Sequence, residues 1–371
     1  MINLRTAGRD RVCYHRPLLP FLKGIGTDRN EHSIRDLPDQ ENKRLLLIAY
    51  SRMSGDILNQ SEPRRFPDFF LVGAPRCGTT ALSRYLTRNP QICFSRPKEP
   101  HYFAKTDYIP DTEELNRDYL DRCFAHATPS HRALGEGSVS YLYAPGAIER
   151  ILHFNPKACF IVQVRNPLKM LPSYHLRMQF LLQEDEADFK TAWELESVRK
   201  KGEQLPKRCL EPRLLFYSEV ASFGAQIEQL FQIAGREQTH VIVFDDFASD
   251  TLGVYKRILD FLNVDFDGQT EFERRFESQM YRYLWLQQLL FVPATSDGKI
   301  VDTFQQRARK YNPDGTKKMS FVKRLSRLNN IPKSPDPLTP QMADIVRETL
   351  QPDIRHLSQL LDRDLSHWID G

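Results

Sequence analysis

Cysteine is scarce in this chain of 371 residues, and the six that occur form no recognisable pattern. They are scattered without a C-x-x-C pair, and several stand in apolar surroundings, which favours reduced thiols over disulfides. Cys123, His126 and His131 come nearest to a set of zinc ligands, but they lack a fourth ligand nearby in the sequence. The sequence therefore predicts neither a disulfide framework nor a bound metal.

Long apolar runs are also missing. No stretch approaches the roughly 20 apolar residues that a membrane-spanning helix needs. The N-terminus also lacks a hydrophobic segment beside a small-residue cleavage site. These absences predict a protein without a membrane span that is located in the cytoplasm.

The chain has no large excess of one charge. Its 52 Lys and Arg residues against 48 Asp and Glu residues give a net charge of +4, which is too close to neutral to predict broad binding to nucleic acid. Basic residues cluster only locally, as at 307–310 and 317–327. Such clusters suit one or two phosphate groups or an anionic acceptor, and the sequence leaves the oligomeric state open.

Apolar segments alternate between the patterns of strands and helices. The predicted order is strand 69–73, helix 80–88, helix 145–154, strand 159–164, helix 168–183, helix 218–234, strand 240–244 and helix 251–262. This order is typical of an α/β fold of three layers, resembling the P-loop fold, in which helices flank a central parallel sheet. Residues 1–64 are predicted to form a partly mobile N-terminal extension, and residues 65–371 the folded domain.

The most informative segment is residues 69–80, with the sequence FFLVGAPRCGTT. An apolar strand enters a loop in which Gly73 and Gly78 allow close approach of the backbone, and a helix follows. The N–H groups of such a loop, with the N-terminus of the helix, form a phosphate-binding site. It is not the G-x-x-x-x-G-K-[ST] loop of nucleotide hydrolases, because Thr79 stands in place of the lysine and the nearest cation is Arg76.

A second apolar strand, Cys159–Val164, leads directly into Arg165, and Ser173 follows eight residues later at the start of a helical stretch. The guanidinium of Arg165 and the hydroxyl of Ser173 can bind a second phosphate. A surface ion pair for Arg165 and a helix cap for Ser173 are the alternatives.

These segments resemble the sulfotransferases that use 3′-phosphoadenosine 5′-phosphosulfate (PAPS), in particular the bacterial branch related to heparan-sulfate and other carbohydrate sulfotransferases. The family's donor loop, P-[KR]-x-G-T-T, is matched at 75–80, and its pattern R-[DN]-P-x(5)-S at 165–173. Further matches are KEPHYF at 98–103, GEGSVSY at 135–141 and LDRDLSHW at 361–368. The resemblance covers the chain apart from its first sixty or so residues.

The resemblance implies transfer of a sulfonyl group from PAPS to a hydroxyl acceptor, without a metal. A carbohydrate acceptor is expected, and a small molecule, a lipid-linked acceptor or a protein tyrosine is possible within the family. The implied donor contacts are Arg76, Cys77, Gly78, Thr79, Thr80 and Ala81 in the loop, with Arg165 and Ser173 as the 3′-phosphate pair.

Catalytic roles follow from the same resemblance. Arg76 is expected to stabilise charge on the leaving phosphate oxygen rather than to act as an acid, because a guanidinium does not release its proton near neutral pH. Glu99 is the expected general base, and His101 the second candidate. A salt bridge of Glu99 with Lys98 or Arg96, and a structural role for His101, are the alternatives.

The chain departs from the family at Gly137, which stands where relatives carry an active-site lysine. The loss of that cation argues against a sulfated polyanion as acceptor. Gly315 and Lys317, in a basic and turn-rich stretch, are expected to contact the 3′-phosphate or the adenine. A merely solvated basic loop is the alternative there. The charged region 185–216 is expected to line or cover the acceptor site.

Two other functions remain compatible with parts of the sequence. Residues 240–246 form an apolar strand ending in Asp245 and Asp246, as in the magnesium site of a P-loop kinase or NTPase. A non-catalytic nucleotide-binding protein is the other alternative. The Arg165 to Ser173 pattern favours the sulfotransferase. Cys77, in a cationic loop, is expected to form a thiolate readily.

Overall fold

The computed structural model describes residues 65–104, 113–273, 278–290 and 321–370. The predicted N-terminal extension over residues 1–64 lies outside these ranges, as do Gly315 and Lys317.

A five-stranded sheet with strand order β2-β3-β1-β4-β5 forms the centre of the domain, and every neighbouring pair is parallel. Its strands are β1 (Phe69–Gly73), β2 (Ile92–Phe94), β3 (Ala133–Glu136), β4 (Cys159–Val164) and β5 (Thr239–Val243). All five residues of β1 are buried, as are the last five of β4. Strands covered on both faces need apolar side chains throughout, which explains their continuous apolar runs.

Helices surround this sheet and fill most of the remaining described chain. They are α1 (Thr79–Arg88), α2 (Glu113–Phe124), α3 (Ala147–Phe154), α4 (Pro167–Phe180), α5 (Phe189–Glu194), α6 (Glu196–Arg199), α7 (Tyr217–Val220), α8 (Phe223–Ala234), α9 (Phe244–Ser249), α10 (Thr251–Phe261), α11 (Leu284–Leu290), α12 (Phe321–Asn329) and α13 (Pro340–Leu361). Short 3₁₀ turns occur at Tyr102–Ala104, Pro212–Leu215 and Ser366–Trp368.

The helices form two layers, one on each face of the sheet. On one face α1 and α10 bury side chains such as Leu82 and Ile258 against β1, β2 and β4. On the other face α3, α4, α8 and α13 pack in a larger core that contains Leu171, Ile227 and Leu357. The predicted three-layer α/β fold, with helices on both sides of a parallel sheet, is confirmed.

A separate antiparallel pair, β6 (Gln279–Tyr281) and β7 (Asn330–Pro332), lies beside α4. It brings the segment after residue 277 to the edge of the donor loop. No helix within the described ranges is both long enough and apolar enough to cross a membrane.

The predicted helix over 218–234 is in fact two helices, α7 and α8. The chain leaves helical geometry at Ser222, where φ is −78° and ψ is 70°. The carboxylate of Asp353 in α13 accepts hydrogen bonds from the N–H groups of Gly224 and Ala225 at 2.8 and 2.9 Å. A residue distant in sequence therefore caps α8, and a local periodicity cannot reveal such a cap.

Candidate active site

The donor loop, residues 74–78, joins the carboxyl end of β1 to the N-terminus of α1. Gly78 caps the helix with φ at 100°, and no side chain caps the first turn of α1. A Cβ at Gly78 would lie 3.0 Å from the ring of Phe244, so both conformation and space require glycine here. The N–H of Ala81 donates to the carbonyl of Gly78 at 2.9 Å, so the N–H groups of Thr79 and Thr80 are the ones that this turn offers to an anion.

Arg76 lies in this loop in a left-handed backbone conformation, with φ at 63°. Its Nε donates to Oγ of Ser173 at 2.8 Å, and its Nη2 donates to Oγ of Ser278 at 2.5 Å. Burial, followed by the positive charges of Arg177 and Arg165, lowers its pKa to about 10. Arg76 therefore remains a cation at neutral pH and is fixed in direction by two serines.

Arg165 and Ser173 lie where a second anionic group could bind. Asn166 caps α4 by accepting from the N–H of Leu168, and Pro167 occupies the first turn, so Arg165 comes immediately before the helix. Its guanidinium carbon lies 4.6 Å from the ring centroid of Phe244. Its Nη1 donates to the carbonyl of Arg76 at 3.4 Å, a long contact.

The Nε of Arg165 is buried and has no hydrogen-bond partner in the described part of the chain. A buried donor of this kind is costly unless a ligand or water satisfies it. The structure thus brings Arg76, Arg165 and Ser173 together, and the surface ion pair considered for Arg165 does not occur within the described ranges.

The expectation of a reactive thiolate at Cys77 is wrong. The side chain is buried, and its Sγ lies 3.4 Å from the carbonyl oxygen of Pro75. Burial raises the pKa of the thiol to about 12, although Arg165 and Arg76 act in the opposite direction. Loss of solvation outweighs two nearby cations here, so Cys77 contributes loop backbone and packing rather than a nucleophile.

Glu99 and His101 lie together on the segment after β2. Lys98 Nζ is 2.7 Å from Oε1 of Glu99, and His101 Nε2 is 3.9 Å from Oε2. Burial acts to raise the pKa of Glu99, but the charges of Lys98 and His101 outweigh it and lower the pKa to about 2. The salt bridge with Lys98 that the sequence offered as an alternative is therefore present.

The negative charge of Glu99 also acts on the donor loop, because it partly offsets the lowered pKa of Arg76. Arg177 in α4 acts on both Arg76 and Glu99. The candidate base is thus an ionised carboxylate whose charge acts on Arg76.

Asp245 and Asp246, which suggested a magnesium site, have structural partners. Asp246 forms a bidentate ion pair with Arg363, in which Nη2 of Arg363 lies 2.7 Å from Oδ1 of Asp246. Asp245 accepts from the indole Nε1 of Trp368 at 2.9 Å. Both carboxylates therefore anchor the C-terminal segment to the end of β5.

Metal-ligating side chains do not gather elsewhere in the described ranges, where no group of three or more His, Cys, Asp or Glu could hold an ion. The three residues that suggested zinc have other contacts. Cys123 is buried, His126 Nε2 contacts the carbonyl of Phe94 at 3.2 Å, and His131 Nδ1 accepts from Thr128 N at 2.9 Å.

Several residues that shape the site carried no signal in the sequence. Ser278 reaches Arg76 from 202 residues away, and no motif surrounds it. Phe244 contacts both Arg165 and Gly78, although the sequence showed it only as the end of an apolar strand. Arg177 follows Ser173 by one helical turn, and that spacing on α4 is the one signal that could have identified it.

Gly137 is tightly enclosed. A Cβ there would lie 2.9 Å from Cζ of Phe94 and 3.6 Å from Cε of Lys98. The chain therefore excludes a larger residue at 137, and the side chain of Lys98 passes over the same place.

A cavity of about 700 Å³ adjoins α4. Pro172, next to Ser173, lines it, as do Met280 and Tyr281, which closely follow Ser278. Residues 187–190 and 206–208 from the charged middle region form part of its wall. Its lining carries four basic and four acidic side chains, of which Glu184 is already paired with the buried Arg199: Lys190, Lys207, Arg208, Lys333, Glu184, Asp185, Asp188 and Asp336.

Comparison with known sequences gives one family. A family profile described as "Sulfotransferase domain" matches residues 66–315. Carbohydrate sulfotransferase 15 of Mus musculus is 23% identical over 256 residues, covering 54% of this chain and 44% of the mouse protein. Bifunctional heparan sulfate N-deacetylase/N-sulfotransferase 3 of Homo sapiens is 24% identical over 277 residues, covering 72% of this chain and 29% of the human protein. The chain thus spans less than half the length of either relative.

Among solved structures, a sulfotransferase from Alicyclobacillus acidocaldarius has a similar fold. The TM-score is 0.55 at 24% sequence identity, with 82% of this chain and 99% of that chain covered. At this level of identity, the likeness establishes a shared fold.

Proposed function

This chain belongs to the sulfotransferase domain family, and from that premise we propose that it transfers a sulfonyl group from PAPS to the hydroxyl of a carbohydrate acceptor. The observation that carries the proposal is the convergence of Arg76, Arg165 and Ser173 at the N-terminus of α1. The family and the names of the relatives supply the reaction and the acceptor class.

The donor site suits a nucleotide with two separate anionic groups. The N-terminus of α1, with the Thr79 and Thr80 side chains in its first turn, would hold the 5′-phosphosulfate. Arg165 and Ser173 would hold the 3′-phosphate, and the unpartnered Nε of Arg165 supports a ligand there. When bound, PAPS supplies an activated sulfonyl group with a phosphate as leaving group.

Arg76 would stabilise the negative charge that remains on the phosphate oxygen when its bond to sulfur breaks. Ser173 and Ser278 hold its guanidinium in place, so little reorganisation is needed at that moment. Because its pKa of about 10 lies well above neutral, Arg76 acts as a fixed charge and not as a proton donor.

Glu99 would accept the proton of the acceptor hydroxyl as the new oxygen–sulfur bond forms. With a pKa of about 2 it is always ionised but weakly basic. Proton transfer would therefore require Lys98 to move away from Glu99. Without the positive charge of Lys98, the pKa of Glu99 rises and the carboxylate becomes a stronger base. His101, 3.9 Å from Glu99, is the second candidate for this proton.

The cavity beside α4 supports an acceptor of limited size. Its volume of about 700 Å³ is in the range of small-molecule and cofactor sites. Because acidic side chains stand among the basic ones in its lining, a neutral hydroxylated acceptor, such as a short glycan, suits it better than a long sulfated polymer.

Calorimetric titration with 3′-phosphoadenosine 5′-phosphate (PAP), compared with ATP with and without magnesium, tests the donor assignment. PAP should bind without metal, and Arg165→Ala should weaken it about 10–100-fold because a charged hydrogen-bond partner is lost. Preference for magnesium-ATP would instead favour the P-loop kinase or NTPase, which the occupied carboxylates of Asp245 and Asp246 argue against.

Arg236→Ala is the matched control for this titration. Arg236 also lies over a phenylalanine ring, 4.3 Å from the centroid of Phe231, but it stands away from the donor loop. It should leave PAP affinity unchanged, so an equal loss in both variants would contradict a specific role for Arg165.

A further inference from the structure

The segment that carries Glu99 and His101 is fastened to the loop that follows β3. Four hydrogen bonds join the two: Gly137 N to Lys98 O (3.2 Å), His101 N to Ser138 Oγ (2.9 Å), His101 Nδ1 with Ser140 Oγ (2.7 Å), and Phe103 N to Tyr141 Oη (3.2 Å). Residues 98–103 are thus held at their start, middle and end.

Glu136, the last residue of β3, lies at the centre of this arrangement. Its Oε1 accepts from Ser138 at 2.6 Å, and its Oε2 accepts from Tyr119 at 2.6 Å and from Tyr141 at 3.2 Å. The side chain is fully buried. Two of its three donors, Ser138 and Tyr141, are themselves acceptors for the backbone of residues 98–103.

His101 is held in an unfavourable backbone conformation. Its φ is 55°, in the left-handed region that residues other than glycine rarely adopt. Such a conformation persists when the surrounding structure fixes it, and it is concentrated at functional sites. The hydroxyl oxygen of Ser138 accepts its hydrogen bond from the backbone N–H of His101, the same residue.

We propose that Glu136 is a positioning residue of the transfer site, an inference that rests on the proposed function. Its carboxyl directs the hydroxyls of Ser138 and Tyr141, which fix the backbone of His101 and Phe103. The position of Glu99 follows, because only Pro100 separates Glu99 from His101. Glu136 itself touches neither donor nor acceptor.

The alternative is a buried carboxyl that stabilises the fold and nothing more. The two possibilities differ in what Glu136→Gln changes, because Ser138→Ala would remove a direct hydrogen bond to His101 N whatever Glu136 does. If Glu136 positions the site, its replacement redirects the hydroxyls of Ser138 and Tyr141 and shifts the backbone of His101 while the donor loop stays intact. If its role is only structural, the variant changes stability without a local change at His101.

The experiment compares wild type with Glu136→Gln and with Tyr255→Phe. Tyr255 is also buried, and its hydroxyl donates to Asp267 at 3.2 Å near α10, on the opposite face of the sheet. Three quantities are measured: PAP affinity by calorimetry, the ¹⁵N-histidine NMR signals of the His101 ring, and the single-turnover rate of PAP formation from bound PAPS, with water as the default acceptor.

Glu136→Gln should shift the His101 signals and lower the rate of PAP formation about 10–100-fold, since small misplacements of catalytic groups have effects of that size. PAP affinity should stay within twofold in both variants, and Tyr255→Phe should leave the His101 signals in place. Unchanged His101 signals in Glu136→Gln would overturn the proposal.

A second variant guards against misfolding. If Glu136→Gln does not fold, Tyr141→Phe removes one of the two hydroxyls that link Glu136 to residues 98–103 without touching the bond of Ser138 to His101, and it should shift the same signals. Failure of PAP to bind wild type would refute the proposed function, whereas the His101 signals would still report on the positioning role.

Discussion

Arg76 shows how a single side chain links parts of the donor site that sequence motifs treat separately. The motifs assign Arg76 to the 5′ end of the nucleotide and Ser173 to its 3′-phosphate. In the structure they are directly bonded, at 2.8 Å from Nε to Oγ. A nucleotide that binds Ser173 must therefore share it with Arg76, which couples the two anionic subsites.

Replacement of Glu136 by glutamine should change how stability depends on pH. Burial raises the pKa of Glu136 to about 7, against the lowering effect of its three hydroxyl donors. Below the ordinary value of 4.5 the carboxyl is protonated in both states. Between 4.5 and about 7 the unfolded chain has released the proton that the folded chain keeps, so stability falls as pH rises through this window.

Glu136→Gln removes that titration, so its free energy of unfolding relative to wild type should rise from pH 5 to pH 8. The change is on the order of 3 kcal/mol at most, from 1.36 kcal/mol per pKa unit. Urea denaturation of both proteins at several pH values measures it. A difference that is constant across this range would contradict the raised pKa.

The sequence indicated which residues form the site where a motif contains them. It misjudged the chemistry of a residue where burial determines that chemistry. The sequence identified Arg76, Arg165 and Ser173 because their spacing follows two strands. It failed at Cys77 because nearby cations are visible in a sequence but loss of solvent is not. Ser278 was missed because its contact with Arg76 depends on the path of a distant chain segment.

Helices α8 and α13 show tertiary packing overriding local pattern at the scale of elements. Asp353, within α13, caps the N-terminus of α8 through Gly224 and Ala225. The two helices are close at this point, since a Cβ at Gly224 would lie 2.5 Å from the carbonyl oxygen of Asp353. If the backbone of α13 moved away from Gly224, the hydrogen bonds by which Asp353 caps α8 would be lost.

Gly224→Ala should therefore destabilise the protein by about 1–3 kcal/mol, as overpacking of a tight contact does. The sign is informative, because alanine is otherwise the better helix former. Chemical denaturation measures the effect, and Gln229→Ala, at an exposed position of the same helix, is the control. A Gly224→Ala protein as stable as wild type would show that the two helices can separate.

Long apolar elements were predictable and short ones were not. Strands β1 and β4 and helices α1 and α10 occur within a residue or two of their predicted ends. Strands β2 and β3 have only three and four residues, too few for a period to emerge, and β3 contains Gly135 and Glu136. Their places are set by pairing within the sheet.

The C-terminal segment acts at the scale of the whole molecule, because it closes the chain back onto the central sheet. Trp368 is almost fully buried and donates to Asp245, and Arg363 pairs with Asp246. Hydrogen bonds from Trp368 and His367 lower the pKa of Asp245, although burial acts to raise it. The negative charge of Asp245 also acts to raise the pKa of Arg165. The C-terminal segment therefore borders the candidate donor site.

Trp368→Ala should lower the free energy of unfolding by about 3–5 kcal/mol, as expected for loss of a large buried aromatic side chain. His367→Ala is the control, since His367 also contacts Asp245 but its side chain is 54% exposed. That variant should stay within about 1 kcal/mol of wild type. Thermal and urea unfolding measure both, and equal losses would contradict an anchoring role specific to Trp368.

The assembly of the site could be predicted only in outline. Parallel strands bring their carboxyl ends to one edge, so the meeting of Arg76 and Arg165 followed from the fold class. The ion pair of Glu99 with Lys98 was foreseen as an alternative, but the network around Glu136 was not. A glutamate ending a four-residue strand gives no sign that three hydroxyls converge on it.

The enclosure of Gly137 makes substitutions at this position depend on the residue at position 94. Any side chain at 137 meets the ring of Phe94 at 2.9 Å, with Lys98 close behind. A lysine at 137, as in the heparan-type relatives that the sequence resembles, is therefore accessible only after Phe94 has become smaller. Gly137→Lys should therefore be tolerated only together with a residue smaller than phenylalanine at position 94.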